Sequence, residues 1–197
     1  MPTALFLDQE LGDFLSEKKR AMLDAIDNLD GDAALKAKEG EPFSKLVEPY
    51  EVEPLRLVED LISWDKEDAV LKKGGPKTDT KYKVVFFVPF QGGHELFRCY
   101  TLTQHVNERV SADLFPKEGE LALPYELDDL IPAKFRARFD RDLDIIRFWL
   151  KQIGPVVLQH NESLKAAARE RLQERQALLK ERDWEQEIGF PRRKKAK

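Results

Sequence analysis

Apolar residues recur along this chain with two different periods. Over residues 9–29, Leu11, Phe14, Leu15, Met22, Leu23, Ile26 and Leu29 keep to a phase of three- and four-residue steps, with one double step from Leu15 to Met22. That spacing lines one face of a helix. Asp8 is placed to cap its start, and Gly31 lies just past its end. Residues 30–54 carry Pro42, Pro49 and Pro54, a density that forbids a long helix and predicts a loop with short extended pieces. Residues 55–64 are short and begin just after a proline, which favours a strand over a helix. The glycine, proline and charge content of residues 72–81 predicts a turn.

From residue 82 the period shortens. Tyr82–Phe90 and Glu95–Leu102 are rich in β-branched and aromatic residues, with Gln91-Gly92-Gly93-His94 between them. Glycine reaches the positive φ that tight turns demand, so this pattern predicts a β-hairpin. Pro89 has no N–H and belongs at a strand end or an edge. Residues 107–115 and 119–127 read as two more strands joined by a turn at 116–119. The middle of the chain is thus expected to be a mostly antiparallel sheet of four or five strands.

Beyond Pro132, a residue suited to a first helical turn, the helical period returns. Phe135, Phe139, Leu143, Ile146, Leu150, Ile153 and Val157 follow at steps of three and four. The stripe continues through Asn161, Leu164, Ala168 and Leu172 to Leu179. Gly154-Pro155 interrupts the text without shifting the phase, which favours a long kinked helix over a helical hairpin. Unbroken, residues 132–182 would extend about 75 Å at ~1.5 Å per residue. That exceeds a compact domain of this size, so the helix is expected to project or to meet a partner. The fold class is α+β: an N-terminal helix, the sheet, and the long C-terminal helix. The expected division is residues 1–131 as core, 132–190 as helical region and 191–197 as basic tail.

Composition narrows the function classes. Cys99 is the single cysteine, which rules out an internal disulfide and a cysteine-based metal cluster and fits a reducing, cytoplasmic setting. The first twenty residues do not read as a signal peptide. No apolar run approaches the ~20 residues of a membrane span, so no membrane partner is expected. The net charge of −4 hides an asymmetry. Residues 1–60 carry 15 acidic and 7 basic side chains, whereas residues 132–197 carry 10 and 17. Such ends attract each other, within one chain or between copies, and the basic end can meet a polyanion.

Little in the sequence has the spacing of catalysis. Gly92-Gly93 leads into a predicted strand, not the helix N-terminus that a phosphate loop requires. His94-Glu95 lacks the second histidine of a zinc-binding helix, and His94, His105 and His160 share no ligand spacing. Glu59, Asp60, Asp65, Glu67 and Asp68 form an acidic cluster, but the next strand offers no acid to complete a nuclease site. Cys99 reads as a small buried apolar residue. No catalytic residue, metal or cofactor is assigned.

Two surfaces remain. One is the helical seam, where Asn161 interrupts an apolar stripe in the manner of a register-setting polar residue. Its candidate partner-binding residues are Phe139, Ile146, Leu150, Val157, Asn161 and Leu164, with Trp149 and Trp184 as anchors. The other is basic: Arg169, Arg171 and Arg175 on the helix, and Arg192, Arg193, Lys194 and Lys195 in the tail, suited to phosphate contacts. The tail has no interleaved aromatics for stacking single-stranded bases.

The order of "FVPFQGGHELF", "GELALPYEL", "LQHNESLKAAARERLQERQALLKERD" and the stop "IGFPRR" resembles a loose set of uncharacterised bacterial modules. These share a PF-x-G-x-x-x-LF turn, an arginine-rich asparagine-leucine helix and a closing lGxPxR, and occur beside nuclease-like or other effector domains in settings suggestive of phage defence. The resemblance spans residues 82–193, departs at Gly154-Pro155, and brings no effector domain and no catalytic residue. It implies a sensing, docking or assembly module. The leading expectation is therefore a non-enzymatic protein–protein interaction or regulatory module, a homo-oligomer or a binder of a protein partner. The alternatives are a nucleic-acid-binding module and a metal-dependent nuclease.

Overall fold

The computed structural model describes residues 2–37, 40–72, 79–102, 109–128 and 130–188. In chain order the elements are β1 (Thr3–Ala4), β2 (Gln9–Glu10), α1 (Leu11–Asp27), α2 (Gly31–Lys36), α3 (Glu41–Val47), a 3₁₀ turn (Glu48–Tyr50), β3 (Arg56–Leu57), a second 3₁₀ turn (Glu59–Leu61), β4 (Ser63–Lys72), β5 (Asp79–Gln91), a third 3₁₀ segment (His94–Arg98), β6 (Cys99–Tyr100), β7 (Ser111–Phe115), β8 (Glu120–Leu127) and α4 (Pro132–Ile188). The class is α+β, as the periodicity predicts. Two compact units divide the chain, one from Met1–Phe14 with Val52–Leu158, the other from Leu15–Glu51 with Gln159–Lys197. The boundaries between these units fall at 14/15, 51/52 and 158/159, so each unit joins front and back of the chain.

The first unit holds an antiparallel sheet in the order β1-β7-β8-β5-β3, with β4 also pairing β5. Four longer strands make its body, and the two-residue β1 and β3 extend it. β5 is central. Phe86 stands opposite Leu123 of β8 on one side and opposite Trp64 of β4 on the other. Val84, Val85 and Phe86 of β5 are buried in a run, and from Phe86 onward burial alternates through Val88 and Phe90, the period of a strand with one face on a core. Phe139 of α4 stacks on Phe86 with ring centroids 4.3 Å apart. Trp149 stacks on Phe6 at 5.6 Å. Phe6 is held at φ 57°, a costly conformation for an aromatic residue that its burial between Phe97 and Trp149 over-determines.

The β7–β8 hairpin forms as expected, with Asp113 opposite Ala122. The hairpin expected around Gly92-Gly93 does not. β5 ends at Gln91, residues 94–98 take a 3₁₀ turn, and β6 pairs with β2 in a separate parallel pair. The glycines serve a close approach. Gly92 sits at φ 101°, and a Cβ there would lie 2.3 Å from the Pro54 carbonyl oxygen. The N–H of Gly93 donates to the Glu53 carbonyl at 2.9 Å.

The second unit is helical. Met22 and Ile26 of α1, Ala34 and Ala37, Phe43 and Val47 of α3, and Leu164, Ala168 and Leu172 of α4 form one buried cluster. Residues 30–54 are thus mostly helical, not the expected loop. Pro42 and Pro49 lie in first turns, where a missing N–H costs nothing. Gly31 opens α2 under an Asp30 cap. At the start of α1 the cap is Glu10, not Asp8: the N–H of Asp13 donates to Glu10 Oε2 at 3.0 Å. Residues 55–64 split into β3, a 3₁₀ turn and the start of β4. Of the turn expected at 72–81, residues 73–78 lie outside the described residues, and both ends belong to β4 and β5. α4 continues through Gly154-Pro155, so the hairpin alternative falls away.

Candidate interaction surface

The apolar stripe of α4 is real, but the chain occupies it itself. Phe139, Ile146, Trp149 and Val157 are buried within the first unit, and Leu164 within the second. Leu150 and Asn161 are half-buried. Of the eight residues predicted to face a partner, Trp184 alone stands out into solvent, at 59% exposure. The period identifies a buried face without naming what buries it.

The basic face is also largely engaged. Arg171 donates to both carboxylate oxygens of Asp27, at 2.7 and 2.6 Å, and to Glu174 at 3.0 Å. Its hydrogen bonds hold the Asp27 carboxyl below its usual range. Arg175 donates to the Leu29 carbonyl at the end of α1. Gln176 donates to the carbonyls of Ala34 and Ala37 at 2.8 and 3.2 Å, closing the end of α2. Arg169 lies over the Phe43 ring at 5.3 Å, a cation–π contact. Lys165 meets Glu51 at 2.8 Å. In the first unit Arg147 pairs with Glu59, Nε to Oε1 at 2.9 Å. Asp27, Glu51 and Glu59 of the acidic front thus pair with Arg171, Lys165 and Arg147 of the basic back within the chain. Arg192, Arg193, Lys194 and Lys195 lie outside the described residues.

The candidate chemistry does not converge. Among the described residues no group of three His, Cys, Asp or Glu side chains is placed to hold a metal ion. His94 Nδ1 lies 3.4 Å from Glu95, His105 is outside the described residues, and His160 is half-buried, with burial and Lys19 holding its pKa below the usual value. Glu59 is taken by Arg147, and Asp65 accepts the N–H of Lys66 at 2.7 Å. Cys99 is 1% exposed, and burial pushes its thiol up to about 11, the state of an inert core cysteine. A cavity of about 590 Å³ in the first unit brings His94, Arg98 and Asp113 near Phe97 and Leu5. Another of about 590 Å³ in the second lies among Phe43, Glu48, Glu51, Lys165 and Arg169. Their charged groups include pairs already made, Arg98 to Asp8 at 3.6 Å and Lys165 to Glu51.

Among the described residues, the flank of the sheet at β4 is uncovered. Ser63–Glu67 pair with Phe87–Lys83 and Val70–Lys72 with Lys81–Asp79. Among the described residues no strand pairs β4 on its other side. Trp64 is 65% exposed on this strand and Leu61 61% exposed just before it. A long strand with one free edge is a template for another chain. Sequence reading missed it because "SWDKEDAVLK" lacks the apolar alternation of a half-buried strand; β5 specifies it by pairing. No family model, curated protein or solved structure matches this chain. No helix among the described residues is long and apolar enough to cross a membrane.

Proposed function

We propose that this chain is a non-enzymatic protein–protein interaction module that assembles through the β4 edge of its first unit. The observation that carries this reading is the ten-residue β4, paired by β5 on one side and by no described strand on the other. Main-chain bonding along such an edge supplies affinity, and flanking side chains such as Trp64 supply selectivity. The resemblance of residues 82–193 to effector-associated bacterial modules favours a regulatory role, in which assembly gates a separate effector. The lone, buried Cys99 suits a reducing, cytoplasmic setting.

The test is the solution mass of the full chain by light scattering, at low and high salt, with Val70→Lys in parallel. An assembly larger than the 22.8 kDa chain that survives salt and is lost in Val70→Lys is expected, because a lysine blocks edge pairing. A 22.8 kDa species in every condition, together with salt-sensitive binding to a polyanion, would overturn the reading in favour of nucleic acid.

A further inference from the structure

We propose that the cleft between α3 and α4 in the second unit binds a small zwitterion, an α-amino acid with an apolar side chain. The proposal goes beyond the assembly reading and does not rest on it.

The cleft measures about 590 Å³, the scale of a small-molecule site, and its charges are sorted by wall. Glu48 opens the 3₁₀ turn that follows α3, and Glu51 lies just past it. The N–H of Glu51 donates to the Glu48 carbonyl at 3.2 Å, and side chains three apart on such a turn eclipse. Lys165 and Arg169 lie four residues apart on α4, so they too share a face. Phe43 and Val47, both buried, supply the apolar lining.

One atom on the acidic wall asks for a donor. Glu51 Oε1 is shut off from solvent and accepts no hydrogen bond among the described residues. Lys165 Nζ lies 2.8 Å from it, which offsets its charge from a direction outside hydrogen-bond geometry. Native structures seldom leave a buried carboxylate oxygen so, and an ammonium group satisfies it. On the basic wall Arg169 is held over the Phe43 ring at 5.3 Å. A guanidinium steadied on a ring presents a planar fork suited to a carboxylate.

The balance of charge selects the ligand. A simple anion such as phosphate would face Glu48 and Glu51, and a simple cation would face Lys165 and Arg169, and like charges repel. A zwitterion suits both walls. Its ammonium donates to Glu51 Oε1, its carboxylate accepts from Arg169, and its side chain lies on Phe43 and Val47.

The experiment is an NMR titration of the full chain with four probes: L-leucine, L-leucine amide, N-acetyl-L-leucine and inorganic phosphate. L-leucine should bind, and each of the other three should bind at least about tenfold more weakly, because each leaves a charged wall without its partner. Glu51→Gln should bind L-leucine no better than N-acetyl-L-leucine while still preferring it to the amide. Arg169→Gln should bind L-leucine no better than the amide while still preferring it to N-acetyl-L-leucine. Each variant thus loses a different half of the discrimination, a pattern that misfolding would not produce. Wild-type protein that is folded and shows no shift with L-leucine would overturn the proposal. So would phosphate or N-acetyl-L-leucine binding as tightly as L-leucine, which would make the cleft an anion site.

Discussion

The phenol of Tyr125 on β8 donates a 2.9 Å hydrogen bond to Oδ2 of Asp142 on α4. Asp142, 8% exposed, is the one buried charged residue among the described residues. Arg141 approaches its other oxygen at 3.2 Å. Burial, then the adjacent carboxylate, pushes the Tyr125 hydroxyl well above the ordinary tyrosine range. This polar bridge joins helix to sheet inside the apolar core of the first unit, where Phe139 stacks on Phe86 and the Tyr125 ring meets Phe86 edge-on. Tyr125→Phe should cost about 1–2 kcal/mol, since it leaves a buried carboxylate oxygen without its donor. Urea unfolding of the full chain checks this, and an unchanged midpoint would show the bridge to be idle.

Gly92 and Gly154 should respond to alanine with opposite sign. At Gly92 an added Cβ meets backbone at 2.3 Å and the φ of 101° is hostile to any side chain, so Gly92→Ala should destabilise by roughly 3 kcal/mol or more. At Gly154, inside α4, nothing lies within 4 Å of the added carbon. Gly154→Ala should stabilise by about 0.5–1 kcal/mol through helix propensity. Thermal melts of both variants decide it, and a destabilised Gly154→Ala would mean that α4 needs its glycine for motion.

Acid should loosen the ion pairs first. Hydrogen bonds from Arg171 and from Arg147 hold Asp27 and Glu59 below their usual values. A carboxylate with a lowered folded pKa contributes stability that is present above its unfolded value and is lost as pH falls through the folded one. Stability should therefore decline from about pH 5 downward. Both sites are solvent-accessible, so the decline should be shallow and screened by salt. Asp27→Asn and Glu59→Gln should each flatten the curve of unfolding free energy against pH. A curve of wild-type slope in the double variant would locate the acid sensitivity elsewhere.

Periodicity carried much of the fold. The three-and-four spacing of Leu11 to Leu29 and of Phe135 to Leu179 marked α1 and α4, because a helix is laid down by local bonds and shows its buried stripe in one dimension. The β7–β8 hairpin was legible from its turn. α2 and α3 were hidden, since Pro42 and Pro49 look like breakers until their places in first turns are known. The 3₁₀ segment after Gly93 was hidden too, because the same glycines suit a hairpin turn and a close backbone approach.

The candidate site was the least legible part. Asp27 and Arg171 lie 144 residues apart, and sign alone could not say whether the acidic and basic ends meet within a chain or between chains. The sequence by itself determined the buried stripes of α1 and α4, the β7–β8 hairpin, and that charge is segregated along the chain, all of which follow from local spacing and residue type. Tertiary structure alone decided what fills the α4 stripe, which carboxylates hold the arginines, and that β5 is the described strand that pairs β4. Those outcomes depend on long-range pairing, and side-chain period and charge sign do not encode the identity of the partner.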